Sequence, residues 1–172
     1  MERRASLELR AKGRRLSGYA AVFGQDTRIA DFTETVLPGA FTASLQAGRD
    51  ILALVDHDPR AVLARTRSGT LRLAEDSHGL HFSLDVPDTS TGRDLLALAA
   101  RGDLGGASFA FTVPPGGERW IDDRRELRAV ELHEISIVQS WPAYEGTAVH
   151  ARSRRLYLPP KLAAARRWMD TL

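Results

Sequence analysis

The sequence predicts an α+β fold, an antiparallel sheet or barrel with short helices between its strands. Three observations lead there. Apolar residues alternate with period two across residues 61–86, at Leu71 and Leu73 and then at Leu80, Phe82, Leu84 and Val86, the spacing that lines one face of a strand. The turn-forming stretches SG and DSHG separate these runs, which favours consecutive antiparallel strands. Only PDTSTGRDLLALAARGD, residues 87–103, carries a clear helical pattern, so the repeated strand–helix–strand units of a parallel sheet are missing.

In chain order, RLSGYAAVF (15–23) reads as an early strand, with Gly18 as a bulge candidate. QDTRIADFTETV reads as a polar loop. It leads to LPGAFTASLQAG, where Pro38 and the spacing of Phe41 and Leu45 predict a short helix. ILALV (51–55) is a compact apolar strand running straight into DHDP. In the clear helix, Thr89, Ser90 or Thr91 supplies the cap, Leu95, Leu96, Leu98 and Ala99 the apolar face, and Gly102 the stop. A strand over about 106–113 follows, then a PPGG turn. WIDDRRELRAVELHEISIV reads as a hairpin whose second arm alternates Val130, Leu132, Glu134, Ser136, Val138. SWPAYEGTAV ends the body, and KLAAARRWMDTL predicts a short basic helix.

With 172 residues, 43% of them hydrophobic and 27% charged, the chain suits one soluble domain with a substantial core. It contains no cysteine, which removes disulfides, thiolate metal sites and a cysteine nucleophile from consideration. No apolar run approaches the roughly 18 residues that span a bilayer. MERRASLELRAKGRR lacks the apolar core of a secretory signal, so a cytoplasmic protein is the expectation. Charge divides the chain into three parts. The arm at 1–15, which leads into the first strand, holds six basic and two acidic residues, and the tail at 151–172 six and one. Taking these from totals of 24 and 22 leaves 12 basic and 19 acidic residues in the body, 16–150. Basic ends suit either contact with nucleic acid or an acidic partner, or simple solvated arms.

Three polar residues interrupt apolar contexts. His57 ends the strand ILALV, where an imidazole can protrude into a cleft and shuttle protons at neutral pH. Ser108 lies in LGGASFAF (104–111), behind two glycines that a strand interior ordinarily avoids. Such small residues let another backbone approach, whether a neighbouring strand or a substrate beside an activated hydroxyl. The N–H groups around Gly105, Gly106 and Phe109 are candidates to bind substrate and stabilise an oxyanion. Glu134 falls on an otherwise apolar strand face, and a carboxylate there needs a partner. A histidine held in one tautomer is one such partner; Arg124, Arg125 or Arg128 is the other. A metal site built from the 56–58 DHD stretch with His78 and His81 lacks supporting spacing, and no phosphate loop, dinucleotide fingerprint or G-x-S-x-G elbow is present.

Together GYAAVF, ETVLPGAFTASL, the HDP after a strand, SGTLRLAEDSHGLHFSLDVPDT, RGDLGGASFAF and ELHEISIVQSWPAYEGT resemble the prohead maturation proteases of tailed phages, over residues 17–149. The resemblance implies an assemblin-like antiparallel β-barrel with flanking short helices. It implies a serine endopeptidase that cleaves the scaffolding segment of the major capsid protein inside the assembling prohead, in the host cytoplasm, and commonly cuts itself. His57 would be the general base, Ser108 the nucleophile and Glu134, in an L-x-E-[VI]-S context, the residue that orients His57. His133 is its rival, because the third member in assemblin relatives is a histidine. The implied partners are the major capsid protein and other prohead components, with room for a homo-oligomer. No metal, cofactor, membrane or nucleic acid is expected. A phage and a gene transfer agent are both compatible sources. The alternative is a non-catalytic capsid-assembly or tail-tube-like protein on the same barrel, in which Ser108 and His57 would lie out of mutual reach.

Overall fold

The computed structural model describes residues 1–6 and 9–139. The readings of SWPAYEGTAV, of the 151–172 tail and of its helix lie outside the described residues. The elements in chain order are β1 (Glu2–Ser6), β2 (Leu9–Lys12), β3 (Arg15–Val22), β4 (Asp26–Ile29), β5 (Phe32–Val36), α1 (Thr42–Gln46), β6 (Leu52–Val55), β7 (Asp58–Arg65), β8 (Leu71–Glu75), β9 (Gly79–Asp85), α2 (Ser90–Arg101), β10 (Gly106–Thr112), β11 (Glu118–Ile121), β12 (Arg124–Leu127) and β13 (Glu131–Val138).

The fold is mostly sheet with two helices, compatible with the α+β expectation. The described strands form three sheets, none of which closes into the expected barrel: β1-β10-β13-β6-β7, β11-β12-β5-β4 and β2-β3-β9-β8. Nor is pairing wholly antiparallel. β13 runs parallel to β6, and β12 parallel to β5. Parallel neighbours need long connections, and here the chain from β6 to β13 passes through both other sheets and α2.

The central five-stranded sheet is apolar on one face. Ala107, Phe109 and Phe111 of β10, Ile135 and Ile137 of β13, and Ala53 and Val55 of β6 join Leu16 of β3 and Leu80, Phe82 and Leu84 of β9 in one core. Phe41, just ahead of α1, fills the gap between Phe23 and Phe109, with ring centroids 6.2 and 5.4 Å away. Helix α2 forms as its sequence predicts. Thr89 Oγ1 accepts the Gly92 N–H at 3.1 Å, Leu95 is buried, and Gly102 closes the helix in the left-handed conformation at φ +77°.

Three expectations are corrected. QDTRIADFTETV is the β4–β5 hairpin rather than a loop, because the buried face of β5 reads Phe32, Glu34, Val36 and a charge sits where an apolar residue was sought. WIDDRRELRAVELHEISIV does not form one hairpin. β11 pairs with β12, and β13 leaves for the central sheet. The irregularity in β3 falls between Tyr19 and Ala21, not at Gly18, which pairs with Phe82.

Glu34 is tolerated because two arginines meet it. Arg4 of β1 donates to both Glu34 oxygens, and Arg125 of β12 donates to Glu34 Oε2 at 2.9 Å. Arg125 also holds Glu2, at 2.5 and 2.8 Å, and Glu118, at 2.6 Å. This network clamps β1, the edge strand of the central sheet, to the sheet containing β5 and β12. Part of the basic N-terminal arm is therefore structural. Removing one member of a buried ion cluster strands its partners, so Glu34→Ala is expected to cost about 3 kcal/mol in denaturant unfolding. Burial works to raise the Glu2 pKa. The hydrogen bond from Arg125 and the charges of Arg125 and Arg4 outweigh it and hold the carboxyl below its ordinary value of 4.5. A carboxylate depressed in the folded state stabilises above its unfolded pKa and loses that contribution as pH falls through the folded one. The stability difference between wild type and Glu2→Gln is therefore expected to be full at neutral pH and to shrink as pH drops below 4.5, as followed by unfolding at a series of pH values.

Candidate active site

The strand β6 ends at Val55, which pairs with Asp58 at the start of β7. Two residues, Asp56 and His57, make the turn, with φ of +46° and +61°. A two-residue hairpin of the I′ type requires positive φ at both positions, a conformation that Asp and His tolerate better than most residues. Strand β13 and Gln139 just beyond it grip this turn through three hydrogen bonds. Asp56 N–H donates to Ile137 O at 3.1 Å, Gln139 N–H donates to Asp56 Oδ1 at 2.9 Å, and His57 N–H donates to Ser136 Oγ at 3.0 Å. The imidazole is thereby fixed at its backbone.

Ser108 sits in the middle of β10, paired with Ala5 on β1 and Ser136 on β13. Because Ala107 and Phe109 turn into the core, strand alternation sends Ser108 to the opposite face. Glu134, two residues before Ser136, reaches that same face by ordinary alternation, and an irregularity lies just ahead of it in the strand. Ala110 pairs with Glu134 but Phe111 pairs with Leu132, leaving His133 as an extra bulged residue. The bulge reverses the alternation, so Leu132 joins Ile135 and Ile137 in the core while Glu134 and Ser136 lie on the other side. The expectation that Leu132 and Glu134 share one face is corrected accordingly.

His57 stands between the other two. Its Nε2 is 3.0 Å from Ser108 Oγ, and its Nδ1 is 2.5 Å from Glu134 Oε1. The second oxygen of Glu134 accepts from Ser136 Oγ at 2.8 Å. Ser108, Glu134 and Ser136 are all nearly inaccessible to solvent. The rival His133 instead places its Nε2 2.9 Å from Thr112 Oγ1. The arginines considered as partners of Glu134 bind elsewhere: Arg124 to Asp26, Arg125 to Glu2, Glu34 and Glu118, and Arg128 to Glu126.

The other sequence candidates fall outside this cluster. Gly105 N–H donates to Val138 O at 2.8 Å, and Gly106, at φ +129°, begins β10 in a conformation suited only to glycine. The Phe109 ring packs in the core against Phe41 and Phe111. β10 is paired along both edges, with β1 over Ala107–Phe111 and with β13 over Gly106–Thr112. His78 and His81 lie edge-on to Tyr19, and Asp58 is paired with Arg60. Among the described residues no group of three or more His, Asp or Glu is arranged to hold a metal ion. Sequence reasoning missed Asp56, whose carboxylate closes the turn onto β13. Its only sequence signal was its place beside His57 between two strands.

A hydroxyl, an imidazole and a carboxylate bonded in that order are the side-chain set of serine acyl-transfer enzymes. The chain belongs to the caudovirus prohead serine protease family, whose model matches residues 2–159. Membership makes it a serine peptidase, a hydrolase with a role in capsid maturation. No curated protein and no solved structure matches it.

The turn yields a direct test. Asp56→Asn keeps a residue that accepts positive φ and a side-chain oxygen for Gln139 N–H, and is expected within about 0.5 kcal/mol of wild type. Asp56→Ala loses both and is expected to cost about 2 kcal/mol, measured by chemical denaturation.

Proposed function

We propose that this protein is a serine endopeptidase that removes the scaffolding segment of the major capsid protein during prohead maturation, and that it also cuts itself. The observation that carries this reading is the row Ser108 Oγ, His57 Nε2, His57 Nδ1, Glu134 Oε1, with separations of 3.0 and 2.5 Å across its two gaps.

The chemistry follows from the hydrogen bonds. With its Nδ1–H donated to Glu134, the imidazole keeps the Nε2 lone pair for the Ser108 hydroxyl. His57 takes that proton as Oγ attacks the scissile carbonyl, and Glu134 stabilises the imidazolium so formed. The imidazolium then gives the proton to the leaving amine. Water enters, loses a proton to His57, and hydrolyses the acyl-enzyme. An extended peptide laid beside the sheet is the expected substrate form. The work is done inside the assembling prohead, within the host cytoplasm. Family membership supports that setting, and among the described residues no helix is long and apolar enough to cross a membrane. The alternative of a non-catalytic assembly protein requires Ser108 and His57 to be out of reach of each other, and is disfavoured by their 3.0 Å contact.

The test is co-expression with the major capsid protein of the same prohead, read by intact mass. Wild type is expected to shorten the capsid protein, and Ser108→Ala to leave it at full length. Glu134→Gln is expected to slow cleavage by about 10⁴-fold, since the amide no longer enforces the right tautomer. Particles that assemble without any cleavage by wild type would favour the assembly-protein alternative.

A further inference from the structure

Ser136 is completely buried, and its one hydroxyl serves two members of the row at once. It donates to Glu134 Oε2 at 2.8 Å and accepts the backbone N–H of His57 at 3.0 Å. A hydroxyl has one proton to give, so donation to the carboxylate leaves its lone pairs for the amide, and the two bonds are mutually consistent. In the sheet Ser136 lies directly between Ser108 on β10 and Leu54 on β6, the strand that leads into the turn. Ser136 thus hydrogen-bonds both the acid and the backbone of the histidine.

Each bond restrains something the row needs. Glu134 Oε1 faces Nδ1, and a carboxylate held only there can rotate about its own axis. The bond from Ser136 to Oε2 fixes the second oxygen and hence the plane. His57 has φ +61°, and backbone in so sparsely populated a region persists only where the surroundings over-determine it. Its N–H, at the tip of a hairpin, finds its acceptor in Ser136. We propose that Ser136 is a positioning residue that locks the Glu134 carboxylate and the His57 backbone together, and so sets the imidazole against Ser108. It touches neither substrate nor the reacting atoms. The inference rests on the reading of Ser108, His57 and Glu134 as the proteolytic row.

The experiment uses the full chain and purified major capsid protein, comparing wild type with Ser136→Ala, Ser136→Thr and Ser108→Ala. It is paired with proton NMR of the His57 Nδ1–H signal in the Ser108→Ala background, with and without Ser136→Ala. Misplacing a reacting group slightly costs up to about a hundredfold in rate, so Ser136→Ala is expected to lower kcat by roughly ten- to a hundredfold with KM little changed, and to displace the Nδ1–H signal. Ser136→Thr, which restores the hydroxyl, is expected to recover most of the rate. A Ser136→Ala protein that keeps the wild-type kcat, or an Nδ1–H signal that does not move, overturns the inference while leaving the proteolytic row intact. Cleavage that survives in Ser108→Ala overturns the row itself, and the inference with it.

Discussion

Strand β13 is the constraint on which the site depends, because it is the middle member of the three strands that carry or lead to its residues. On one side it pairs antiparallel with β10, which brings Ser136 opposite Ser108 and Glu134 opposite Ala110. On the other it pairs parallel with β6, which runs Val55 up to Ile137 and delivers the Asp56–His57 turn over the end of β13. A slip of one residue in either register would move every side chain of the strand to the other face. The geometry of His57, Ser108 and Glu134 is therefore a consequence of two ladders rather than of any local sequence.

What holds those registers is the division of the central sheet into an apolar and a polar face. Phe109, Phe111, Ile135 and Ile137 are committed to a core shared with β3 and β9, so the hydroxyls and the carboxylate have only the opposite face left. The bulge at His133 reconciles the two halves of β13. It lets Leu132 pack inward although Glu134, two residues on, points outward. The polar groups are buried at little cost because each is paired. Among the described residues no buried side-chain nitrogen or oxygen lacks a partner. The same rule operates at the edge of the sheet, where Arg4, Arg125 and Glu34 bind β1 beside the strand of Ser108.

Much of this was legible in the sequence. Helix α2 was, because Thr89 and Gly102 act through local backbone geometry, and β8 and β9 were, because their alternation is uninterrupted. The candidate site showed itself as three polar residues breaking apolar patterns at His57, Ser108 and Glu134. The β4–β5 hairpin was hidden because Glu34 occupies an inward position and its partners are 30 and 91 residues away. The face of Leu132 was misread because a bulge leaves no mark in periodicity until the partner strand is known. Asp56 and Ser136 stayed invisible as contributors, since their bonds form only when a turn and a strand far apart in sequence meet. The closed barrel was expected from kinship, and residues 1–6 and 9–139 form three sheets instead.

The most direct test of the account is where a serine-directed fluorophosphonate attaches to the intact, active protein. Digestion and mass spectrometry would locate the adduct. The account predicts one adduct, on Ser108, lost when His57 is replaced by Ala although the fold is retained. A stable adduct on another serine, or full proteolytic activity after Ser108 has been modified, would contradict it.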